Sequence, residues 1–241
     1  MKKILSFCVL SVFLLGLIAS LTHAQKATDI LEKMIEAQGG RKLLGNIKDT
    51  TLVGSMEIAM AGMSGTLTMY HKEPNKMRME FELMGMVITM AFDGETAWWT
   101  NPQTGATEEM PTDQAEGIVR QAWGNDILLN PDKHGVTYEL KGKETLEGKE
   151  YYVLEQGFPD GWKMKFYLDA QTYLPYKTVS KQLSMGVEVE AEAFLSDWKK
   201  VGGIMTAHTI KTYQSGEEVM TMSFTEVKYN TGIEDSLFKM D

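Results

Sequence analysis

Apolar residues recur every three or four positions near the start of this chain and every second position after residue 51. The first pattern, in which Asp29 and Glu32 form a capping pair and Gly39-Gly40 ends the periodicity, predicts one amphipathic α-helix. Its single apolar stripe consists of Ile30, Leu31, Met34 and Ile35. A helix of this kind has one face to bury against the rest of the protein.

The second pattern predicts β-strands, because side chains alternate between the two faces of a strand. It is clearest after Asn75, where Met77, Met79 and Phe81 share one face and charged residues share the other. Short turns such as Asp93-Gly94 join these runs and favour antiparallel pairing of consecutive strands. Ten or eleven such runs predict one strongly curved antiparallel sheet or open barrel.

A second amphipathic segment interrupts the strands between Pro111 and Leu129. Its apolar side, formed by Ile118, Val119, Ala122 and Trp123, predicts a helix that lies across the sheet as a lid. The predicted fold class is therefore mainly β with helices (α+β), an incomplete antiparallel β-barrel of about ten or eleven strands covered by helices. Without a repeat or linker, residues 25–241 are predicted to form a single domain.

The N-terminal 24 residues have the pattern of a secretory signal peptide. Lys2-Lys3 precedes an uncharged apolar run, and Thr22-His23-Ala24 provides small residues for cleavage after Ala24. An uncleaved membrane anchor is the alternative, since the run approaches the roughly 18 residues that span a bilayer. Cys8 follows the bulky Phe7, which argues against a lipidated cysteine. We expect an exported, periplasmic protein.

Charge and motifs exclude several classes of function. Removal of residues 1–24 leaves 22 basic and 33 acidic residues and no cysteine, so neither disulfides nor nucleic-acid binding is expected. The sequence contains no nucleophile elbow, phosphate loop or zinc-protease motif. We predict no catalytic residues, no metal site, no cofactor and no enzymatic activity, although a carboxylate pair that meets only in space remains an open alternative.

The predicted inward positions are rich in methionine, of which the chain has 18. The flexible, polarisable thioether side chain adapts to ligands of variable shape, so these positions predict an apolar ligand cavity. The predicted cavity residues are Met56, Ile58, Met60, Leu67, Met69, Met77, Met79, Phe81, Met84, Met86, Met90, Met164, Phe166, Val189, Met220, Met222 and Phe224. Two alternatives are an ordinary packed core and a Cu(I) site, because thioethers are soft ligands.

The stretch Gly65 to Arg78, followed by Phe92 to Pro102, resembles paired segments of LolA and its relatives, the periplasmic carriers of outer-membrane lipoproteins. The closing segment from Val227 to Phe238 resembles the wider group of lipoprotein-sorting proteins. The resemblance implies an incomplete barrel with a helical lid over a cavity for lipoprotein acyl chains or lipid. It also implies partners: an inner-membrane releasing complex and an outer-membrane acceptor. We expect a monomer; the main alternative is a lipid-sensing envelope interaction module.

One position departs from the family pattern. The carriers often place a basic residue directly before the proline of the third-strand turn, where it helps to tie down the lid. Here that position is Glu73, beside Lys72. The resemblance therefore predicts a lid latch that differs from that of the carriers or is missing.

Overall fold

A computed structural model describes residues 27–101, 103–184 and 187–240. The predicted signal peptide lies outside the described residues. Helix α1 covers residues 27–38 and confirms the first predicted helix. The other α-helices are α2 (Arg41–Leu44), α3 (Thr112–Ala122) and α4 (Asp126–Leu129), and 3₁₀ turns occupy Ala59–Ala61, Pro131–His134 and Asp235–Phe238. Among the described helices, none combines the length and apolarity needed to cross a membrane.

The described residues form thirteen antiparallel strands in one sheet. The first six are β1 (Asp49–Ile58), β2 (Met63–Lys72), β3 (Lys76–Leu83), β4 (Met86–Phe92), β5 (Ala97–Thr100) and β6 (Thr107–Glu109). The other seven are β7 (Thr137–Leu146), β8 (Lys149–Gly157), β9 (Lys163–Asp169), β10 (Pro175–Ser184), β11 (Val187–Val201), β12 (Ile204–Gln214) and β13 (Glu217–Tyr229).

Every strand from β1 to β6 and from β7 to β13 pairs with its sequence neighbours, and β1 pairs with β13 to join the two meanders. The sheet does not close, since β6 and β7 end it on opposite sides. The predicted fold class, an incomplete antiparallel barrel with helices, is confirmed.

Two strands explain why the sequence predicted fewer strands than the structure contains. Strand β6 has three residues, all exposed, and offers no hydrophobic alternation. Strand β10 presents Thr178, Ser180 and Gln182 on the face that other strands line with apolar side chains.

Both longer helices pack on the same face of the sheet, which we call the inner face. The apolar stripe of α1, including the fully buried Met34, packs against Leu154, Leu168 and Ile204. Helix α3 packs on β3, β4 and β5 through Ile118 and Ala122. Between these two helices, the inner face of β13, β1, β2 and β3 is lined by apolar side chains.

The opposite face of β3 to β5 is covered by the C-terminal segment, residues 230–240. Arg78 donates a hydrogen bond to the Leu237 carbonyl at 2.8 Å, and Trp98 Nε1 donates to the Phe238 carbonyl at 2.8 Å. Lys72 and Lys76 both form ion pairs with Asp235, at 2.6 and 3.1 Å. This C-terminal segment therefore holds strands β3 to β5 from their outer face, while helix α3 packs on their inner face.

Candidate ligand cavity and lid

Three methionines form a row across adjacent strands of the inner face. Strand pairing places Met69 of β2 opposite Met79 of β3, and Met79 opposite Met90 of β4. Directly opposed side chains have Cβ atoms about 4.5–5.5 Å apart, so the three thioethers form one continuous half-buried surface. Leu52 extends this row onto β1.

A cavity of about 220 Å³ lies beside this row, between strands β1 to β3 and helix α3. Its wall is largely apolar, with polar groups contributed by Gln121 of α3 and by His71. The lining residues are Thr50, Leu52, Met69, Tyr70, His71, Met77 and Gln121.

The structure places most of the predicted cavity residues on the inner face. Buried among them are Met56, Leu67, Met77, Phe81 and Phe224. Half-buried are Ile58, Met69, Met79, Met90, Met220 and Met222. Of these, Met69 and Met77 line the cavity itself. Whether any of these residues contacts a ligand stays a prediction.

The predicted inward position of Met84 is wrong. Met84 is 90% exposed and has a φ of 51°, because the chain turns there between β3 and β4. Met86 lies opposite Leu83 on the inner face, but it is at the open end of the hairpin and 63% exposed. Neither methionine lines the cavity.

Three further predicted residues lie in the other half of the sheet. Phe166 packs near α1, Met164 is opposite Gln156, and Val189 is opposite Gln182. They share the inner face with the methionine row but are remote from the cavity along the strand order. Met60 lies in the 3₁₀ turn after β1, and its side chain is outside the described part of the structure.

The four predicted lid residues divide between two clusters. Ile118 and Ala122 are buried against Met77, and Val119 packs beside them. Trp123 instead follows the last residue of the helix and packs in the second cluster, with its ring centroid 5.1 Å from that of His134 and 6.1 Å from that of Phe158. The prediction that Trp123 shares the inward face is wrong, because the helix ends at Ala122 and Trp123 starts the turn into α4.

The end of α3 is held by two side chains from the end of β2, a pair that we call the latch. His71 Nε2 is 2.8 Å from the Ala122 carbonyl oxygen and donates to it. Glu73 Oε1 accepts a hydrogen bond of 2.9 Å from the Asn125 amide. The turn fits closely, since a Cβ on Gly124 would lie 2.1 Å from His71 Cε1. A histidine and an acidic residue thus hold the end of α3, where the resemblance predicted a different or missing latch.

Burial affects both latch residues. Desolvation, with the charge of neighbouring Asp126, raises the pKa of Glu73 to about 7 against the lowering effect of hydrogen bonds from the Asn125 and Asp126 amides. Desolvation lowers the pKa of His71 below its usual range. For Asp126, burial is outweighed by hydrogen bonds from Lys133, His134 and Asn130, which lower its pKa to about 2. The latch is therefore a closely spaced pair in which both closed-state groups favour the neutral form.

Sequence reasoning missed His71 as a latch residue and Gln121 as a cavity residue. His71 looked isolated because its partners lie about fifty residues away in the chain. Its place in the alternation, two residues after Met69, is the signal that puts it on the inner face. Among the described residues, no group of three or more His, Cys, Asp or Glu side chains is arranged to hold a metal ion.

The fold is similar to that of LolA-like incomplete barrels among the solved structures. A domain from Vibrio parahaemolyticus named for outer membrane lipoprotein sorting shares this fold, with a TM-score of 0.61, 16% identity and coverage of 89% of this chain and 97% of that one. A LolA superfamily protein from Nitrosomonas europaea is also similar, with a TM-score of 0.61, 16% identity and coverage of 88% and 97%. At these identities the similarity establishes the fold, and the LolA-like resemblance predicted from sequence is confirmed at that level.

A DUF1329 family protein from Desulfovibrio piger shares the fold as well, with a TM-score of 0.61, 15% identity and coverage of 90% of this chain and 97% of that one. No curated protein is significantly similar to this chain in sequence. A family model described as "Uncharacterized protein" matches residues 86–241, well over half of the chain, and the chain belongs to that family.

Proposed function

We propose that this protein is a non-enzymatic periplasmic carrier that binds the acyl chains of lipoproteins, or of lipids, beneath helix α3. The observation that carries this proposal is the row of Met69, Met79 and Met90, which borders a covered cavity on the concave face. A thioether-rich wall buries alkyl chains without requiring one rigid shape. Similarity to proteins named for lipoprotein sorting supports the same conclusion.

The energetics require a cover over such a site. Exposure of an alkyl chain to water costs about 0.8 kcal/mol per CH₂, so a carrier must shield its cargo throughout transport. The cavity, at about 220 Å³, is smaller than the roughly 300–1,000 Å³ of typical small-molecule sites. We infer that α3 moves away from β3 to β5 to admit whole acyl chains.

The wider role follows from the sequence. With cleavage after Ala24, residues 25–241 would act as a single periplasmic domain and a monomer. Cargo would come from an inner-membrane releasing complex and pass to an outer-membrane acceptor, the partners that LolA resemblance implies.

Native mass spectrometry of the mature protein purified from the cell envelope tests this function. We expect added mass equal to an acylated protein or lipid, released when the sample is delipidated and restored by adding a triacylated lipopeptide. The same peptide without acyl chains is the matched control and should not bind. The proposal would be contradicted if the purified protein carried no ligand and did not bind the acylated peptide.

The methionine row also favours a second candidate, a Cu(I) site. Three thioethers on adjacent strands form the soft ligand set that Cu(I) accepts. Titration with Ag(I), a redox-stable substitute, distinguishes the two candidates. Stoichiometric binding that Met79→Leu abolishes would support the metal site, whereas the carrier function predicts that this variant still binds lipopeptide.

A further inference from the structure

The latch joins two ionisable side chains, and burial raises the pKa of Glu73 but lowers the pKa of His71. His71 donates from Nε2 to the Ala122 carbonyl, so the neutral ring has an unprotonated Nδ1. That Nδ1 lies 3.9 Å from Glu73 Oε1. Glu73 in turn accepts the Asn125 amide on Oε1, and the Asp126 amide also donates to its carboxyl group. Burial outweighs these amide hydrogen bonds, so the closed site suits a neutral imidazole beside a neutral carboxyl group.

We propose that, at mildly acidic pH, opening the lid moves a proton from Glu73 to His71 through solvent, so that a neutral closed pair becomes an ionised open pair. The inference rests on the proposed function, because it assigns a mechanism to the lid of that site. In the step, the O–H bond of Glu73 breaks, an N–H bond forms at His71 Nδ1, and water carries the proton. The net charge of the protein does not change.

The charged groups around the latch do not prevent this proton transfer from Glu73 to His71. From the α4 side, Asp126 disfavours ionisation of Glu73 and Lys133 favours it. Lys133 and His134 are themselves bonded to Asp126 at 2.6 and 2.7 Å, and the low pKa of Asp126 keeps it charged at neutral pH. On the strand itself, Lys72 is paired with Asp235.

Glu73 and His71 affect closure of the lid in opposite directions as the pH changes. Glu73 has a raised closed-state pKa, so by itself it makes closure less favourable as pH rises from about 4.5 to 7. That displacement amounts to about 300-fold in the opening equilibrium. His71 has a lowered closed-state pKa, so by itself it makes closure less favourable as pH falls below its ordinary pKa of about 6.5. Below about pH 6.5, where both groups titrate, the two trends oppose each other.

The test measures opening in the mature protein with a neutral, non-ionisable apolar fluorophore. If only the open state binds, apparent affinity follows the open fraction. In the His71→Gln variant, the probe affinity should rise by about 30-fold as the pH increases from 5.5 to 8, because only Glu73 then titrates. Glu73→Gln should show the reverse slope. The wild type should change several-fold less than His71→Gln.

Two controls separate the latch from other titrations. The double variant His71→Gln, Glu73→Gln should lose both slopes, and His208→Gln should behave like the wild type, because His208 bonds within its own strand to the Thr206 carbonyl. If His71→Gln does not fold, the reverse slope of Glu73→Gln carries the test. Single variants with the same pH dependence as the wild type would overturn the proposal.

Hydrogen exchange of the Asn125 amide provides a readout without ligand. Corrected for its intrinsic rate, exchange should show the same slopes as probe affinity. Failure to bind the probe at any pH would count against the carrier function, and the exchange slopes would still decide the latch. Flat exchange in both single variants, with binding intact, would reject the latch alone.

Discussion

Strand register places Met79, whose side chain is chemically suited to apolar ligands, at the centre of the proposed site. It lies between Met69 and Met90 in the row, and its half-buried side chain packs against the cluster that contains Leu67 and Phe81. A residue in this position contacts whatever occupies the concave face. Its neighbours across the strands have the same soft, flexible side chain, so the surface can adjust to different chains.

A charge at position 79 should abolish binding. Met79→Glu places a carboxylate without a partner against acyl chains, at a cost of about 2 kcal/mol or more, so lipopeptide affinity should fall by at least about 30-fold. Met84→Glu, at the exposed hairpin turn, is the matched control and should bind normally. Circular dichroism confirms folding, and undiminished binding by folded Met79→Glu would remove the row from the site.

At the residue scale, sequence identified the methionines but not their neighbours in space. Alternation correctly put Met77 and Met79 on one face, because a period of two needs only local information. It failed at Met84, because an apolar residue followed by Gly85 reads equally well as strand or turn. The pairing of His71 with Ala122 depends on how α3 crosses the sheet, and alternation contains no information on that crossing.

Helix α3 ends at a turn that tolerates only glycine. Gly124 has a φ of +49° and its hydrogen faces His71 and Glu73. Gly124→Ala should both strain the backbone, by about 1–2 kcal/mol, and push the latch apart. We therefore expect roughly tenfold or greater gain in access of the apolar fluorophore to the cavity.

Gly117→Ala is the comparison within the same helix. A Cβ at this position would meet no atom within 4 Å, and alanine in place of glycine favours the helix by about 1 kcal/mol. It should raise resistance to urea without increasing probe access. If both alanine variants changed access equally, the effect would come from the helix in general and not from the latch.

The C-terminal segment stabilises the strands beneath the lid. Phe238 is fully buried, and its carbonyl accepts the Trp98 indole hydrogen bond. Phe238→Ala should lower the free energy of unfolding by about 3–5 kcal/mol, measured by urea denaturation. Met240→Ala, at an exposed site, should change it by less than about 0.5 kcal/mol. A small effect at Phe238 would mean that the segment contributes little to the fold.

For whole elements, the sequence was informative wherever one face is apolar and the other polar. Helix α1 and strand β3 follow their patterns closely, because burial against a single neighbour produces such alternation. Strand β10 was missed because its inner side chains are polar. Trp123 was misplaced because a helical projection extends past Ala122, whereas the real helix stops there.

The whole molecule combines an open sheet with two helices that close different parts of its concave face. Helix α1 fills one half with a well-packed core around Met34, while α3 covers the other half above a cavity. On the proposed function, the half under α1 would stay fixed while the half under α3 opens without breaking strand pairing. This division is expected of a carrier, since its scaffold must persist while the cargo enters and leaves.

Photolabelling tests the central claim most directly. A triacylated lipopeptide with a diazirine near the end of one acyl chain would be bound to the mature protein, irradiated and mapped by peptide mass spectrometry. We predict saturable labels on strands β2, β3 and β4 and on helix α3, reduced by excess unlabelled lipopeptide and lost in Met79→Glu. Labels confined to the outer face or to the exposed hairpin turn at Met84, or labels that excess lipopeptide does not displace, would contradict the account.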